Sequence, residues 1–379
     1  LSEAVASVGR MEIHIDSAVL TEAVGRAARV LPARSPMPVL GGLLLEAGED
    51  GRLSVFGLDH EASARVEAEA ETVTPGRVLV LGRRLLDICK VLPRGRTALA
   101  VEGPRLSVSS GDVRFGLSLL PLDAHPAAPA LPPVLGEVDG DAFAEAVAQV
   151  AAAAGRDDSL PVLTGIRLAL DGPEMTLAAT DRYRYAVRTL EWYPAPGAAA
   201  VEPADVVVPA RRLAETARSL VAGGRARIGL DAHSLGFERA GLRTTTRLLD
   251  GRLPRHDKLF ALGDHAVAAT GRAALVEAVK RVSVVAEGDS PVQLAFDGTT
   301  LRLQAGYEDD VASQRLPATL GGATAMTVAF NPGYLLDALE RFTAEEVRLH
   351  LLGPGQRALL TDGDDGRHRH LLMSVKPLV

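Results

Sequence analysis

His368 and His370 stand two apart near the end of the 379-residue chain, the closest that two imidazoles come in this sequence. A metal site needs three or four ligands at set spacing, and no Cys, Asp or Glu cluster at that spacing accompanies the pair. Asp362, Asp364 and Asp365 lie among glycines like a calcium loop, but Gly366 falls where an oxygen ligand is required. A surface turn is the better reading. The single cysteine, Cys89, falls within the apolar pattern of a helix, which suits a core thiol rather than a reactive one. No P-loop, G-x-S-x-G elbow, H-E-x-x-H or G-x-G-x-x-G occurs. No Ser-His-Asp or Cys-His grouping stands out. A carboxylate-dependent hydrolase or nuclease would need acidic residues from distant segments to meet in one cleft. The expectation is no catalytic, cofactor or metal site.

The segments around these residues repeat. Glu22-Ala-Val-Gly-Arg-Ala-Ala-Arg-Val leads to Pro38-Val-Leu; Glu145-Ala-Val-Ala-Gln-Val leads to Pro161-Val-Leu; Glu277-Ala-Val-Lys-Arg-Val leads to Pro291-Val-Gln-Leu. The spacing between copies is that of domains, not of solenoid turns. A second cycle runs in phase: Val78 to Leu92, Val206 to Leu220 and Val328 to Phe342 each read as a β-rich run, a turn and an amphipathic helix. Their apolar positions (Leu85, Ile88, Leu92; Leu213, Ala217, Leu220; Leu335, Leu339, Phe342) have helical spacing. Alternating stretches with Gly, Asp or Pro turns follow each helix. The spacing therefore predicts an α+β chain of three similar domains, each made of two β-α-β-β-β units.

Composition sets limits on partners. The chain is 47% hydrophobic and 23% charged, ordinary for a globular protein, and no apolar stretch has transmembrane length. No secretory signal is visible, and a cytoplasmic location is expected. The net charge of −7 is unlike that of a protein gripping DNA by charge. Even so, the helices carry Arg26, Arg29, Arg211, Arg212, Arg218, Lys280 and Arg281. Arginine suits phosphate recognition, although a GC-rich genome gives the same bias. Five prolines between Pro121 and Pro133, and a polar stretch from Asp250 to Gly271, mark linkers.

Several segments resemble the bacterial DNA polymerase III β subunit, the β sliding clamp family, from about Met11 to Val379. They are Arg83-Arg-Leu-Leu-Asp-Ile-Cys-Lys-Val-Leu-Pro93, Ala179-Thr-Asp-Arg-Tyr-Arg-Tyr-Ala-Val187 (in an actinobacterial style), Leu249-Asp-Gly-Arg-Leu-Pro254 and Phe330-Asn-Pro-Gly-Tyr-Leu-Leu-Asp337. The resemblance implies three DNA-clamp domains at 11–130, 131–262 and 263–379, with 1–10 an N-terminal extension or expression remnant. It implies a non-catalytic processivity factor, a head-to-tail homodimer closing as a ring around double-stranded DNA without sequence preference. Held topologically, such a ring tolerates an acidic pI.

The resemblance also assigns residues. At the dimer interface Phe115 and Leu117 of domain one meet Val284 and Val285 of domain three, with Arg83 and Arg84 facing Glu308, Asp309 and Asp310. DNA would face Arg26, Arg29, Arg34, Arg212, Arg218, Lys280 and Arg281. A pocket for short peptides of the replicative polymerase α subunit, the clamp loader and repair polymerases would comprise Leu163, Thr180, Arg182, Tyr183, Arg184, Tyr185, Pro254, Lys258, Leu259, Asn331, Tyr334, Met373, Ser374, Val375 and Lys376. The chain departs from the family pattern at Ser374, Tyr185 and His370. An alternative is thus a divergent second copy whose pocket resists a clamp-binding inhibitor such as a peptide antibiotic.

Overall fold

The structure is a computed structural model that describes residues 10–32, 37–196, 204–221, 224–286, 290–307, 310–362 and 366–376. Arg34, Glu308, Asp309, Asp364, Asp365 and residues 1–9 of the expected extension lie outside the described residues.

The first repeat runs β1 (Glu12–Asp16), α1 (Ser17–Ala27), β2 (Gly42–Ala47), β3 (Arg52–Leu58), β4 (Ala62–Glu69), a short added β5 (Glu71–Thr74), then β6 (Gly76–Leu81), α2 (Gly82–Val91), β7 (Arg96–Glu102), β8 (Arg105–Ser110) and β9 (Val113–Leu120). The second runs β10 (Val134–Asp139), α3 (Gly140–Ala151), β11 (Gly165–Asp171), β12 (Glu174–Thr180), β13 (Arg184–Glu191), a two-residue β14 (Tyr193–Pro194), β15 (Ala204–Pro209), α4 (Ala210–Leu220), β16 (Arg225–Leu230), β17 (Ser234–Arg239) and β18 (Leu242–Arg247). After a short α5 (Asp257–Phe260), the third runs β19 (Ala266–Gly271), α6 (Arg272–Val282), β20 (Val292–Phe296), β21 (Thr300–Tyr307), β22 (Asp310–Gly321), β23 (Met326–Phe330), α7 (Pro332–Leu339), β24 (Glu346–Leu351), β25 (Arg357–Asp362) and β26 (His368–Met373). Each repeat is two β-α-β-β-β units, as the sequence periodicity implies. The linker expected to reach Gly271 is shorter than that, because Ala266–Gly271 is already a strand.

The repeated motifs act as local instructions. Pro38 and Pro161 each open a single 3₁₀ turn ahead of β2 and β11, their fixed φ being suited to a first helical position. In the third copy, two residues shorter, Pro291 leads directly into β20. The expected helix faces point inward: Leu85 and Ile88, Leu213, Ala217 and Leu220, and Leu335 and Leu339 are buried. Two expected face residues lie past their helices: α2 stops at Val91, one residue before Leu92, and buried Phe342 lies beyond α7.

The chain gathers into two compact units, residues 1–140 with 215–248, and residues 141–214 with 249–379. In the first, a continuous sheet has the order β10-β16-β17-β18-β4-β3-β2-β6-β9-β8-β7-β1-β5. The second has a twelve-stranded sheet, β15-β11-β12-β13-β26-β25-β24-β19-β22-β21-β20-β23. An apolar cluster in it packs α6 and α7 against strands of the third repeat, through residues such as Leu275, Val279, Phe296, Phe330 and Leu349. Among the described residues no helix is long and apolar enough to cross a membrane.

Two seams join successive repeats. In the first unit β4 and β18 pair antiparallel, Ala62 opposite Thr246, and the Ser63 and Thr245 hydroxyls share a 2.7 Å hydrogen bond. In the second unit β13 and β26 pair the same way, Arg184 opposite Leu372 and Tyr185 opposite Leu371. In both, the last strand of a first half-repeat meets the last strand of the next repeat's second half.

Candidate functional site

A cavity of about 640 Å³ opens in the second unit between the β12–β13 turn, the loop after α3 and the start of α7. The turn is built by Asp181. Its Oδ1 accepts the Tyr183 and Arg184 amides at 3.0 and 3.1 Å, and its Oδ2 accepts Arg184 Nε at 2.9 Å. Thr180 Oγ1 accepts the Arg182 amide at 3.2 Å and donates to the Arg184 carbonyl at 2.7 Å. Asn331 then caps α7 ahead of Pro332, accepting the Tyr334 amide at 3.1 Å, which fixes where Tyr334 leaves the helix.

The floor of the cavity is a satisfied charge cluster. The Arg184 side chain is only 5% exposed and reaches Asp337 Oδ2 at 2.6 Å as well as Asp181. Its guanidinium lies 4.5 Å from the centre of the Tyr334 ring. Tyr183 stacks on Tyr334 with ring centres 6.3 Å apart and planes inclined by 25°. Leu163 and Leu160 add an apolar wall, from a loop closed by the Gly155 amide donating to the Leu163 carbonyl at 2.7 Å. Two aromatic faces, aliphatic walls and converging charges form a surface suited to short peptide anchors.

Leu163, Arg182, Tyr183, Arg184, Asn331 and Tyr334 from the expected pocket therefore meet around this cavity, while the others lie elsewhere. Tyr185, next along the strand from Arg184, lies in a separate buried cluster with Ala178, Val187, Phe260, Leu359 and Leu371, and Leu259 packs against it. Its hydroxyl donates to the Pro254 carbonyl at 2.6 Å, and burial pushes its pKa up to about 12. Thr180 is buried and spent on the turn. Lys258 belongs to α5, beside this second cluster.

Met373 donates its amide to the Tyr183 carbonyl and keeps its side chain exposed, as does Val375. Ser374 points inward. Its hydroxyl donates to the Gln356 carbonyl at 2.6 Å and accepts the Gln356 amide, and its own amide also reaches the Gln356 carbonyl. Lys376 is exposed. Asp337 and Arg156, which line the cavity, were missed by sequence reading. Asp337 ends the Phe330–Asp337 segment, so its position was a signal; Arg156 carried none.

His368 and His370 are buried, not assembled as ligands, and the described residues contain no group of three or more His, Cys, Asp or Glu placed to hold a metal. Burial first, then His368 and Arg184, holds the His370 pKa well below the usual imidazole range. Cys89 is buried, and burial pushes its thiol up to about 12, consistent with an inert core residue.

Basic residues gather at helix ends. Arg26, Arg218, Lys280 and Arg281 occupy last turns, where the negative end of the helix dipole favours cations whatever the partner. Arg212 lies near the start of α4. In the first unit Arg29 donates to Ser219 Oγ at 2.9 Å, and burial, then Arg218 and Arg26, holds its guanidinium below the usual range. Arg26 pairs with Glu22, and Lys280 with Glu340.

The residues expected at the dimer interface lie on or near open strand edges. Among the described residues, β9 from Val113 to Ser118 is paired only with β8, and β22 from Asp310 to Pro317 only with β21. Phe115 is half-buried and Leu117 buried, whereas Val284 is 82% exposed and Val285 half-buried against the third repeat's core. Arg84 is exposed, and Arg83 donates to the Leu31 and Pro32 carbonyls.

Residues 11–129 match the family of DNA polymerase III beta subunit N-terminal domains, residues 137–255 the central domain and residues 258–376 the C-terminal domain. The chain is 45% identical to the beta sliding clamp of Streptomyces coelicolor, covering 97% of this chain and 99% of that one. It is 41% identical to the beta sliding clamp homolog GriR of Streptomyces muensis, again over 97% and 99%. The crystal structure of the Pseudomonas aeruginosa sliding clamp bound to griselimycin superposes with a TM-score of 0.89 at 26% identity, covering 97% of this chain and all of that one. The three repeats, their matching half-repeats and these likenesses agree: the chain belongs to the DNA polymerase III beta subunit family, the β sliding clamps.

Proposed function

We propose that this chain works as a non-catalytic sliding clamp, two copies closing head to tail around duplex DNA in the cytoplasm and tethering replication and repair proteins through the cavity at Arg184 and Tyr334. The observation that carries the ring is the pair of seams. In β4–β18 and β13–β26 the strand that ends one first half-repeat meets the strand that ends the next repeat's second half. By the same rule β22 calls for β9, and each of these strands has an open stretch of edge. A second copy can supply each open stretch with its match. A heterologous contact used twice gives a closed dimer.

The register follows from the hairpins. Thr246, Leu372 and Leu117 are equivalent, each opposite the second residue of the preceding strand (Leu235, Ala358 and Leu106). Ala62, Arg184 and Asp310 are equivalent as the residues just before the pairs made by Ser63, Tyr185 and Val311. Asp310 therefore faces Leu117 of the partner subunit, Val311 faces the partner's Gly116 and Ala312 the partner's Phe115. Burial supports this. Thr244 and His370, the equivalents of Phe115, are buried in their closed seams, while Phe115 is still half-exposed. Val284 and Val311, both exposed, would be covered on closure.

Replacing Val284 by Glu tests the ring. So exposed a side chain does not hold the fold, but a charge there would be buried unpaired on closure. Light scattering after size exclusion should show a dimer for the parent and monomer for Val284→Glu. A variant that stays dimeric overturns the interface assignment. Binding to short linear duplex should be weak, salt-dependent and without sequence preference.

A second reading is a divergent clamp copy whose pocket resists a clamp-binding peptide antibiotic. Its support is the likeness to the homolog GriR, together with Tyr185 filling the apolar cluster beside Pro254 and Leu259. Griselimycin affinity, compared with that of the Streptomyces coelicolor clamp, separates the two.

A further inference from the structure

Strand geometry brings together two imidazoles that lie far apart in the sequence. In the second unit Val267 of β19 pairs with His350 of β24, and His265 stands two residues before Val267, the spacing that returns a side chain to the same face of a sheet. His265 Nε2 comes to 3.1 Å from His350 Nδ1. Both residues are half-buried, so the pair is not sealed from solvent, in contrast to the buried His368 and His370.

The outer partners of the two rings assign their protons. His265 Nδ1 lies 2.7 Å from the Gly263 carbonyl, which can only accept, so Nδ1 carries the proton and Nε2 presents its lone pair to His350. His350 Nε2 lies 3.3 Å from Thr361 Oγ1, a hydroxyl able to donate or to accept. His350 therefore has two neutral forms. With its proton on Nδ1 it donates to His265. With its proton on Nε2, donated to Thr361, two bare nitrogens face one gap, and that form is stabilised by a cation between them. Burial, then His265 and Arg348, lowers the His350 pKa, which favours the neutral ring that ligation needs. The Arg348 charge is itself met by Glu346 at 3.6 Å.

The distance suits a shared ion. Two imidazole nitrogens bound to one zinc at about 2.0–2.1 Å stand about 3.0–3.4 Å apart, and the observed separation lies in that range. Each ring also has an oxygen partner on its far nitrogen, the arrangement that orients ligating histidines. We propose that His265 and His350 form a binding site for a divalent transition-metal ion that prefers imidazole, zinc above all, with water completing the coordination. Among the described residues no third His, Cys, Asp or Glu joins them, so the site binds less tightly than a structural centre with four protein ligands. A bound ion clips the segment between α5 and β19 to β24.

Calorimetric titration of zinc chloride into the untagged full chain at pH 7.5 tests the site. The parent should bind one zinc per chain; nickel should compete, and magnesium at the same concentration should not. His265→Gln and His350→Gln should each abolish saturable binding, and Thr361→Val should weaken it about tenfold by removing the oxygen that holds the His350 proton. His233→Gln, at an exposed imidazole elsewhere, should change nothing. Because His265 precedes its strand, His265→Gln should keep the metal-free melting temperature and secures the test should His350→Gln fail to fold. Absence of saturable zinc binding by the parent overturns the site. Binding that survives His265→Gln marks an adventitious ion only, and equally overturns it.

Discussion

Replacing His370 by Leu should flatten the acid side of this protein's stability profile. His370 sits in the middle of β26, between Ala186 on β13 and Leu360 on β25, with 0% exposure and no hydrogen-bond partner for either ring nitrogen. The charged groups acting on it are His368 on its own strand and Arg184 on β13, the latter tied to Asp181 and to Asp337 on α7. Burial is the largest cause of its lowered pKa, and both neighbours add to it. The folded ring is neutral, whereas in the unfolded chain it titrates near about 6.5. As pH falls below that value the unfolded state takes up a proton that the folded state refuses. Stability is then lost at up to about 1.4 kcal/mol per pH unit until the folded pKa is reached, and it is fully present above about 6.5.

The lone tryptophan, Trp192, is buried in the same unit, so its fluorescence reports the relevant transition. Urea unfolding at pH 7.5, 6.5 and 5.5 should show a variant no less stable than the parent at the highest pH, because two unpaired buried nitrogens have been removed. The difference should widen in the variant's favour by about 1 kcal/mol between pH 6.5 and 5.5. Burial also lowers the pKa values of His256 and His350, so the variant keeps some slope. Parallel profiles for parent and variant would refute the assignment of a buried neutral imidazole at the β13–β26 seam.

Asp181→Ala should destabilise by about 2–4 kcal/mol in the same assay, since it strips two backbone amides and one bond of a buried guanidinium of their acceptor. Asp337→Ala, which removes only one partner of Arg184 and from a partly exposed side chain, should cost less, about 1 kcal/mol. Reversal of that order would mean the turn is not what Asp181 holds. Tyr185→Phe should lower stability by about 1 kcal/mol by leaving the Pro254 carbonyl without its donor, with little change in peptide affinity. An affinity loss exceeding the stability loss would place Tyr185 in the binding surface instead.

Much of the architecture was legible in the chain because its signals are local and repeated. The Glu-Ala-Val helices, the Pro-Val-Leu turns and the period of Leu213, Ala217 and Leu220 each depend on a few neighbouring residues, and threefold recurrence separates them from chance. The Asp181 turn and the Asn331 cap are local as well, each set within four residues, but they came to light only in the structure. The pocket was different. Arg184 and Tyr185 are adjacent in sequence, but strand side chains alternate, so one enters the charge cluster with Asp337 and the other the apolar cluster with Phe260. Which face holds the cavity depends on how β13 meets β26, a pairing between residues nearly two hundred positions apart that no local spacing encodes. The open edges of β9 and β22 likewise follow from strand order, so the sequence by itself determined the repeat, and tertiary structure alone decided where its charges and free edges stand.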